Sequence, residues 1–275
     1  MDSDDLALFR QIEDPLDRAR RAHAAMSELP AIRYGAITEA SAAHTLTAIG
    51  EALGISRQAI SKILHGGPGP ERAFWAAGKG PVTVAVGGKT EAPKTAGAPG
   101  PVIAVEDASA RDMLRAHLGE LGIEMRAEVI PPSGVINLNR PGLVVICGPR
   151  LSPLIAQMLA ADRSLGFDHD SRDAWYLKDH ETGSIWRSPI DSDQPSDIAY
   201  AGRLMRPDRR GTFLYIAGIH AAGAAGAVHY LTRNLAETWQ QVKERRFSTL
   251  IRCDFDPETR SIVSSERITD FREGA

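Results

Sequence analysis

The chain has 275 residues, 43% hydrophobic and 24% charged, with a net charge of -3, which allows two ordinary globular domains and excludes wholesale disorder. Nothing approaches the roughly 18 consecutive apolar residues of a membrane span, and the start MDSDDLALFRQ is acidic where a secretory signal is basic, so a cytoplasmic protein with no membrane partner is expected. Only Cys147 and Cys253 occur, each among strand-like apolar residues, which leaves no disulfide scaffold and no cysteine-rich metal site and makes both thiols buried, inert groups.

From Leu6 to about Pro30 the apolar spacing reads as helix, with a restart at Asp14-Pro15, where Asp14 suits a cap and Pro15 the first helical position. An arm before residue 14 is therefore expected to be separate, and a second helix is expected from Ile32 to about Ala43. The run HTLTAIGEALGISRQAISKIL follows. Leu46, Ile49, Leu53, Ile55, Ala59, Ile60 and Ile63 make a small shared core for two helices crossing at a tight angle, Gly54 supplies the turn, and Ser56 caps the second helix.

As it stands, LTAIGEALGISRQAISKIL resembles the helix-turn-helix of bacterial regulators and of the promoter-reading part of sigma factors; the resemblance covers residues 14–66, about a fifth of the chain. Gly50 departs from that pattern, which favours alanine there, and the core-binding region of sigma factors has no counterpart. The resemblance implies double-stranded DNA as a partner. Arg57 and Gln58 would read base edges in the major groove, while Ser56 caps the helix and Ser61 and Lys62 hold phosphates. Against this, the first 72 residues carry eight Lys/Arg and ten Asp/Glu, so there is no bulk basic excess. A helical hairpin used for dimerisation is the plainer alternative.

Residues 67–100 are rich in Gly, Pro and Ala and read as a linker with a possible strand at 82–86, between a helical domain at 1–66 and an α/β domain at 101–275. In the latter, strand and helix alternate: PVIAVE, a helix from Ser109 to Leu121, AEVI, LVVICG, a helix from about Pro153 to Ala161, hairpin strands from Trp175 to Trp186, DIAYAGRL, TFLYIAGI, helices from about Ala221 to Arg245, STLIRCDF and an edge strand RSIVSSERI. The fold class expected is α/β, with an N-terminal all-α domain and a larger mixed-sheet domain that is Rossmann-like in outline.

Two strand-to-helix turns are candidate ligand sites. Gly148, Pro149, Arg150 and Ser152 follow LVVIC, where free amides, a guanidinium and a hydroxyl suit an anion, although a plain structural turn fits the residues equally. Gly218, His220 and Gly223 open a small-residue helix where a ligand or another backbone can approach closely, and tight helix-to-sheet packing is the competing explanation. In a mixed sheet the two turns would share one crevice. The clusters Asp168-His169-Asp170 and Asp191, Asp193, Asp197 read as solvated loops more than as metal ligands, and Arg203, Arg206, Arg209 and Arg210 as a solvated hairpin. His229 is expected to be structural. There is no GxSxG elbow and no HExxH helix, and no catalytic residue is assigned.

The function expected is a transcriptional regulator: a homodimer on DNA whose α/β domain senses a small anionic or nucleotide-like ligand in the Gly148/His220 crevice. The alternative is a nucleotide-processing or hydrolytic enzyme, in which Arg150, His220 and a loop aspartate converge. A scaffold recruiting a protein through a sheet edge is a third reading.

Overall fold

The computed structural model describes residues 11–66, 70–75, 80–92 and 100–273. The expected arm through Arg10, the Gly/Pro-rich stretches at 67–69 and 93–99, and the side chain of Lys62 lie outside the described residues. The chain is mixed α/β and divides into two compact units, one holding the residues through Arg72 together with Glu120–Gly122, the other the remainder.

In the first unit, α1 (Pro15–Ala40) is one helix where two were expected; it runs through Pro30 with the loss of a single intrahelical donor. Helix α2 (Leu46–Leu53) begins at Thr45, whose hydroxyl accepts from the Ala48 amide at 3.2 Å, and ends at Gly54 with φ 66°. That left-handed turn suits glycine. Ile55 then doubles back, donating its amide to the Gly50 carbonyl at 2.9 Å. A Cβ on Gly50 would lie 2.6 Å from the Ile55 carbonyl oxygen, which accounts for glycine where the sequence pattern favours alanine. Helix α3 (Arg57–Gly66) starts under Ser56, whose Oγ accepts from the Ala59 amide at 3.1 Å. Ile37, Ile49 and Ile60 form the core, with Leu46 and Ile63 half-buried against it; Leu53 and Ile55, expected inside, are 48% and 37% exposed. Helix α4 (Pro70–Trp75) follows, and its residues from Ala73 on belong to the second unit.

The second unit is built on a seven-stranded mixed sheet of order β12-β11-β9-β10-β5-β1-β4. Its strands are β1 (Val82–Gly87), β4 (Met125–Ile130), β5 (Leu143–Ile146), β9 (Ser196–Met205), β10 (Thr212–Gly218), β11 (Phe247–Phe255) and β12 (Ile262–Arg267). β10, β5, β1 and β4 are parallel; β9, β11 and β12 join antiparallel. The sheet therefore starts at Val82, inside the stretch expected as a linker. VTVAVG, the possible strand expected at 82–86, is a short apolar run almost entirely buried, as a central parallel strand must be, and belongs to the sheet instead of to a linker. Conversely, PVIAVE makes only the two-residue β3 (Pro101–Val102), paired with β2 (Lys89–Thr90), before α5 (Val105–Glu120) begins four residues earlier than expected. Helix α6 (Pro153–Leu159) and a three-stranded sheet of β6 (Leu165–His169), β7 (Trp175–Asp179) and β8 (Ile185–Arg187) come next. Leu165 and Leu177 of that small sheet enter the same apolar core as Val145, Tyr200 and Tyr215.

Helix α7 (Ala221–Arg233) packs across β9, β10, β11 and β12 through a face of small residues, and α8 (Leu235–Val242) completes the chain's eight α-helices among the described residues. Arg203 on β9 departs from the solvated hairpin expected for its cluster. It is 5% exposed, lies between the rings of Phe74 and Phe247 at 4.9 and 5.3 Å, and donates to the carbonyls of Lys243 at 2.5 Å, Arg245 at 3.0 Å and Phe74 at 3.2 Å. No helix among the described residues is long and apolar enough to cross a membrane.

Candidate functional site

The parallel strands β1 and β5 are neighbours whose chains go on in opposite directions along the sheet, β1 next pairing with β4 and β5 with β10. In open α/β sheets the carboxyl ends of two such strands leave a crevice between their diverging connections, and that is where ligands bind. Here the crevice holds about 400 Å³ and is lined by Lys89 after β1, Gly148 and Arg150 after β5, Gly218 at the end of β10 and His220 just after it, and Asp107 from the first turn of α5. Its remaining walls are apolar, including Cys147, Leu151, Ala217 and Ile219.

Each polar group in the crevice is held differently. Arg150 is exposed on the one-turn segment Pro149–Leu151, its guanidinium 5.6 Å from the ring centre of Trp175 on the small sheet, a cation over an aromatic face. His220 shares a 2.8 Å hydrogen bond between Nε2 and Oδ1 of Asp191, which lies on the turn Pro189–Ser192. Behind it sits Asp197, fully buried. Its carboxylate accepts from the amides of His220 at 3.0 Å, Gly223 at 2.7 Å and Ile198 at 2.8 Å, and from the Ser188 hydroxyl at 2.6 Å. The start of α7 is thus capped by the protein's own carboxylate, and an anion in the crevice meets side chains instead of those amides. Burial pushes the Asp197 carboxyl above the usual range, against the pull of these donors and of His220.

Asp107 is only 7% exposed and accepts no hydrogen bond from the described residues. Burial raises its pKa to about 7, with the Lys89 ammonium opposing the rise and Glu106 adding to it. Burial, and then the nearby Asp107, pushes the Cys147 thiol up to about 12, so it is no nucleophile at neutral pH.

Of the residues singled out from sequence, Gly148, Arg150, Gly218 and His220 line this one crevice. Pro149 is buried in the turn. Ser152 is buried as the cap of α6, its hydroxyl donating to the Gly134 carbonyl at 2.7 Å and accepting from the Ile155 amide, and it is not among the residues lining the crevice. Gly223 contributes only its amide to Asp197. In the first unit Arg57 and Gln58 are exposed on the opening turn of α3, with Ser56 as its cap and Ser61 half-buried. Asp168-His169-Asp170 is a strand end and turn, with Asp170 paired to Arg187 at 3.0 Å. His229 bonds Ser265 at 2.7 Å. No group of three or more metal-binding side chains clusters among the described residues.

Sequence reasoning missed Lys89 and Asp107; a loop aspartate beside His220 was expected under the enzyme reading alone, and Asp191 is that aspartate. Asp107 was hidden because α5 was expected to begin at Ser109; the first-turn acids Glu106 and Asp107 were the available signal. No protein-family model matches the chain, and no curated protein or solved structure matches it.

Proposed function

We propose that this chain is a DNA-binding transcriptional regulator whose α/β unit, Rossmann-like in outline, senses a small anionic ligand in the crevice at the ends of β1, β5 and β10. The observation that carries the reading is the pair α2 and α3. They are joined by a left-handed Gly54, a geometry that a helix-turn-helix uses, and they leave Arg57 and Gln58 exposed on the first turn of the second helix. Ser61 and Lys62 lie one turn further along the same helix, where phosphate contacts would stabilise the register. A homodimer on paired half-sites offsets the missing basic excess by doubling the contacts. Ligand occupancy then shifts DNA affinity through whichever arrangement of the protein the ligand prefers.

The test is genome-wide occupancy and gel-shift titration of the wild type beside an Arg57→Ala, Gln58→Ala double variant, with folding checked by circular dichroism. Discrete sites that vanish in the folded variant support the reading; a wild type with no site preference sinks it.

One observation favours a second reading as a nucleotide-processing or hydrolytic enzyme. His220, which lines the crevice with Arg150 and Asp107, is hydrogen-bonded at 2.8 Å to Asp191, an arrangement suited to moving a proton beside a bound anion. Turnover of phosphate esters or nucleosides that is abolished by His220→Ala, with DNA binding intact, would select it.

A further inference from the structure

Resting on the reading of the crevice as a ligand site, one of its residues says what kind of ligand it takes. Asp107 is more than nine-tenths buried, lines the crevice, and has no hydrogen-bond donor from the described residues. Buried carboxyls are ordinarily satisfied by the protein, as Asp162 and Asp197 are here. One left without a donor, at the edge of a cavity large enough for a small molecule, is an acceptor waiting for a ligand's donors.

The surroundings restrict what those donors can be. Lys89 and Arg150 line the same space, and Lys89 is the cation whose field acts most on Asp107, so a cationic ligand group would meet net repulsion. The donors facing Asp107 are therefore neutral, while Arg150, steadied by Trp175, is free to take an anion. Leu151, Ala217 and Ile219 add apolar lining to the same crevice. Neutral donors for Asp107, an anion for Arg150 and a crevice of about 400 Å³ lined by both match the size and polarity of a phosphorylated pentose, free or carrying a base.

We propose that Asp107 is the specificity-determining residue of the crevice, accepting hydrogen bonds from the hydroxyls of a pentose phosphate whose phosphate group pairs with Arg150. The hydroxyl pair supplies Asp107 with donors that the described residues of the protein do not. Inorganic phosphate reaches only the Arg150 end.

The experiment is isothermal titration calorimetry on the full chain with ribose 5-phosphate, adenosine monophosphate and inorganic phosphate, using the wild type, Asp107→Asn and Arg150→Ala. Asparagine keeps the volume and removes the buried charge, so the variant folds, and circular dichroism confirms it. Expected is wild-type binding of at least one pentose phosphate that weakens by about tenfold or more in Asp107→Asn. Phosphate alone binds more weakly and equally to both proteins, and Arg150→Ala weakens all three. Preference for adenosine monophosphate over ribose 5-phosphate adds a base to the ligand; equal binding assigns the site to the sugar phosphate. No binding of either to the wild type overturns the ligand class. Binding lost in Arg150→Ala and unchanged in Asp107→Asn overturns the role of Asp107 and leaves the crevice standing. Binding unchanged in both variants overturns the crevice as well.

Discussion

The backbone amide of Gly223 donates to Oδ2 of Asp197 at 2.7 Å, across 26 residues of sequence, and so places the first turn of α7 over the end of β9. The same oxygen takes the His220 amide, and the other takes Ser188 and Ile198. Replacing Asp197 with alanine strips four donors of their acceptor in a dry site, and we expect a loss of about 3 kcal/mol or more, read from the urea midpoint. Asp197→Asn, which keeps one acceptor oxygen, should lose less. A midpoint unchanged in both variants contradicts the capping role.

Gly223 itself admits no side chain. A Cβ there would lie 2.8 Å from both Oδ2 of Asp197 and the Ile198 carbonyl oxygen, two atoms with little freedom to move. Gly223→Ala is expected to lower the melting temperature and to loosen the His220–Asp191 pair; on the histidine side-chain resonances, a wild-type-like spectrum would refute the second part.

Asp107 and His117 give the second unit opposite pH dependences. Burial raises Asp107 from 3.8 to about 7, so the folded chain holds a proton that the unfolded chain has released, and its contribution to stability falls as pH rises from about 4 to about 7. Asp107→Asn should therefore stabilise the protein by roughly 1 to 4 kcal/mol more at pH 8 than at pH 4. Burial lowers His117 from 6.5 to about 4, and the unfolded chain takes the proton first, so stability is lost as pH falls through that interval. His117→Leu should flatten that acid limb, measured by urea unfolding at several pH values. An unchanged limb would place the acid sensitivity elsewhere.

Arg203 tests whether geometry or charge matters at a buried cation. Lysine cannot reach three carbonyls with a planar fork or lie flat between Phe74 and Phe247. Arg203→Lys is expected to lose about 2 kcal/mol or more by denaturant unfolding. Equal stability of the two proteins would mean that the charge alone suffices.

A Cβ on Gly148 meets nothing within 4 Å, so Gly148→Ala should fold as the wild type does. Because Gly148 lines the crevice, ligand affinity should fall while thermal stability holds, and calorimetry beside a melting curve separates the two.

The parts of the fold legible in sequence are those where one local signal dominates. LVVIC and TFLYIAGI are apolar runs too short for helices and became central strands; Gly54 and Ser56 punctuate α2 and α3 as their chemistry requires. VTVAVG carried the same signal and was expected as a possible strand, but its Gly/Pro-rich surroundings read as a linker, and its central place comes from pairing with β4 and β5. The shared crevice of Gly148 and His220 was inferable because both follow buried strands. Asp107, Lys89 and Arg203 were not, because what sets each apart is burial or a neighbour distant in sequence: the Arg203 guanidinium and the Phe74 carbonyl are 129 residues apart.

That separation governs the order in which the protein can be finished. Helix α4 leaves the ribosome long before β9, and the carbonyls of Lys243 and Arg245 follow later still, so the buried cation between Phe74 and Phe247 can close only when most of the chain has been synthesised. Phe74 at the end of α4 must wait for partners encoded far downstream, which makes the completion of the second unit a late event in the life of the nascent chain.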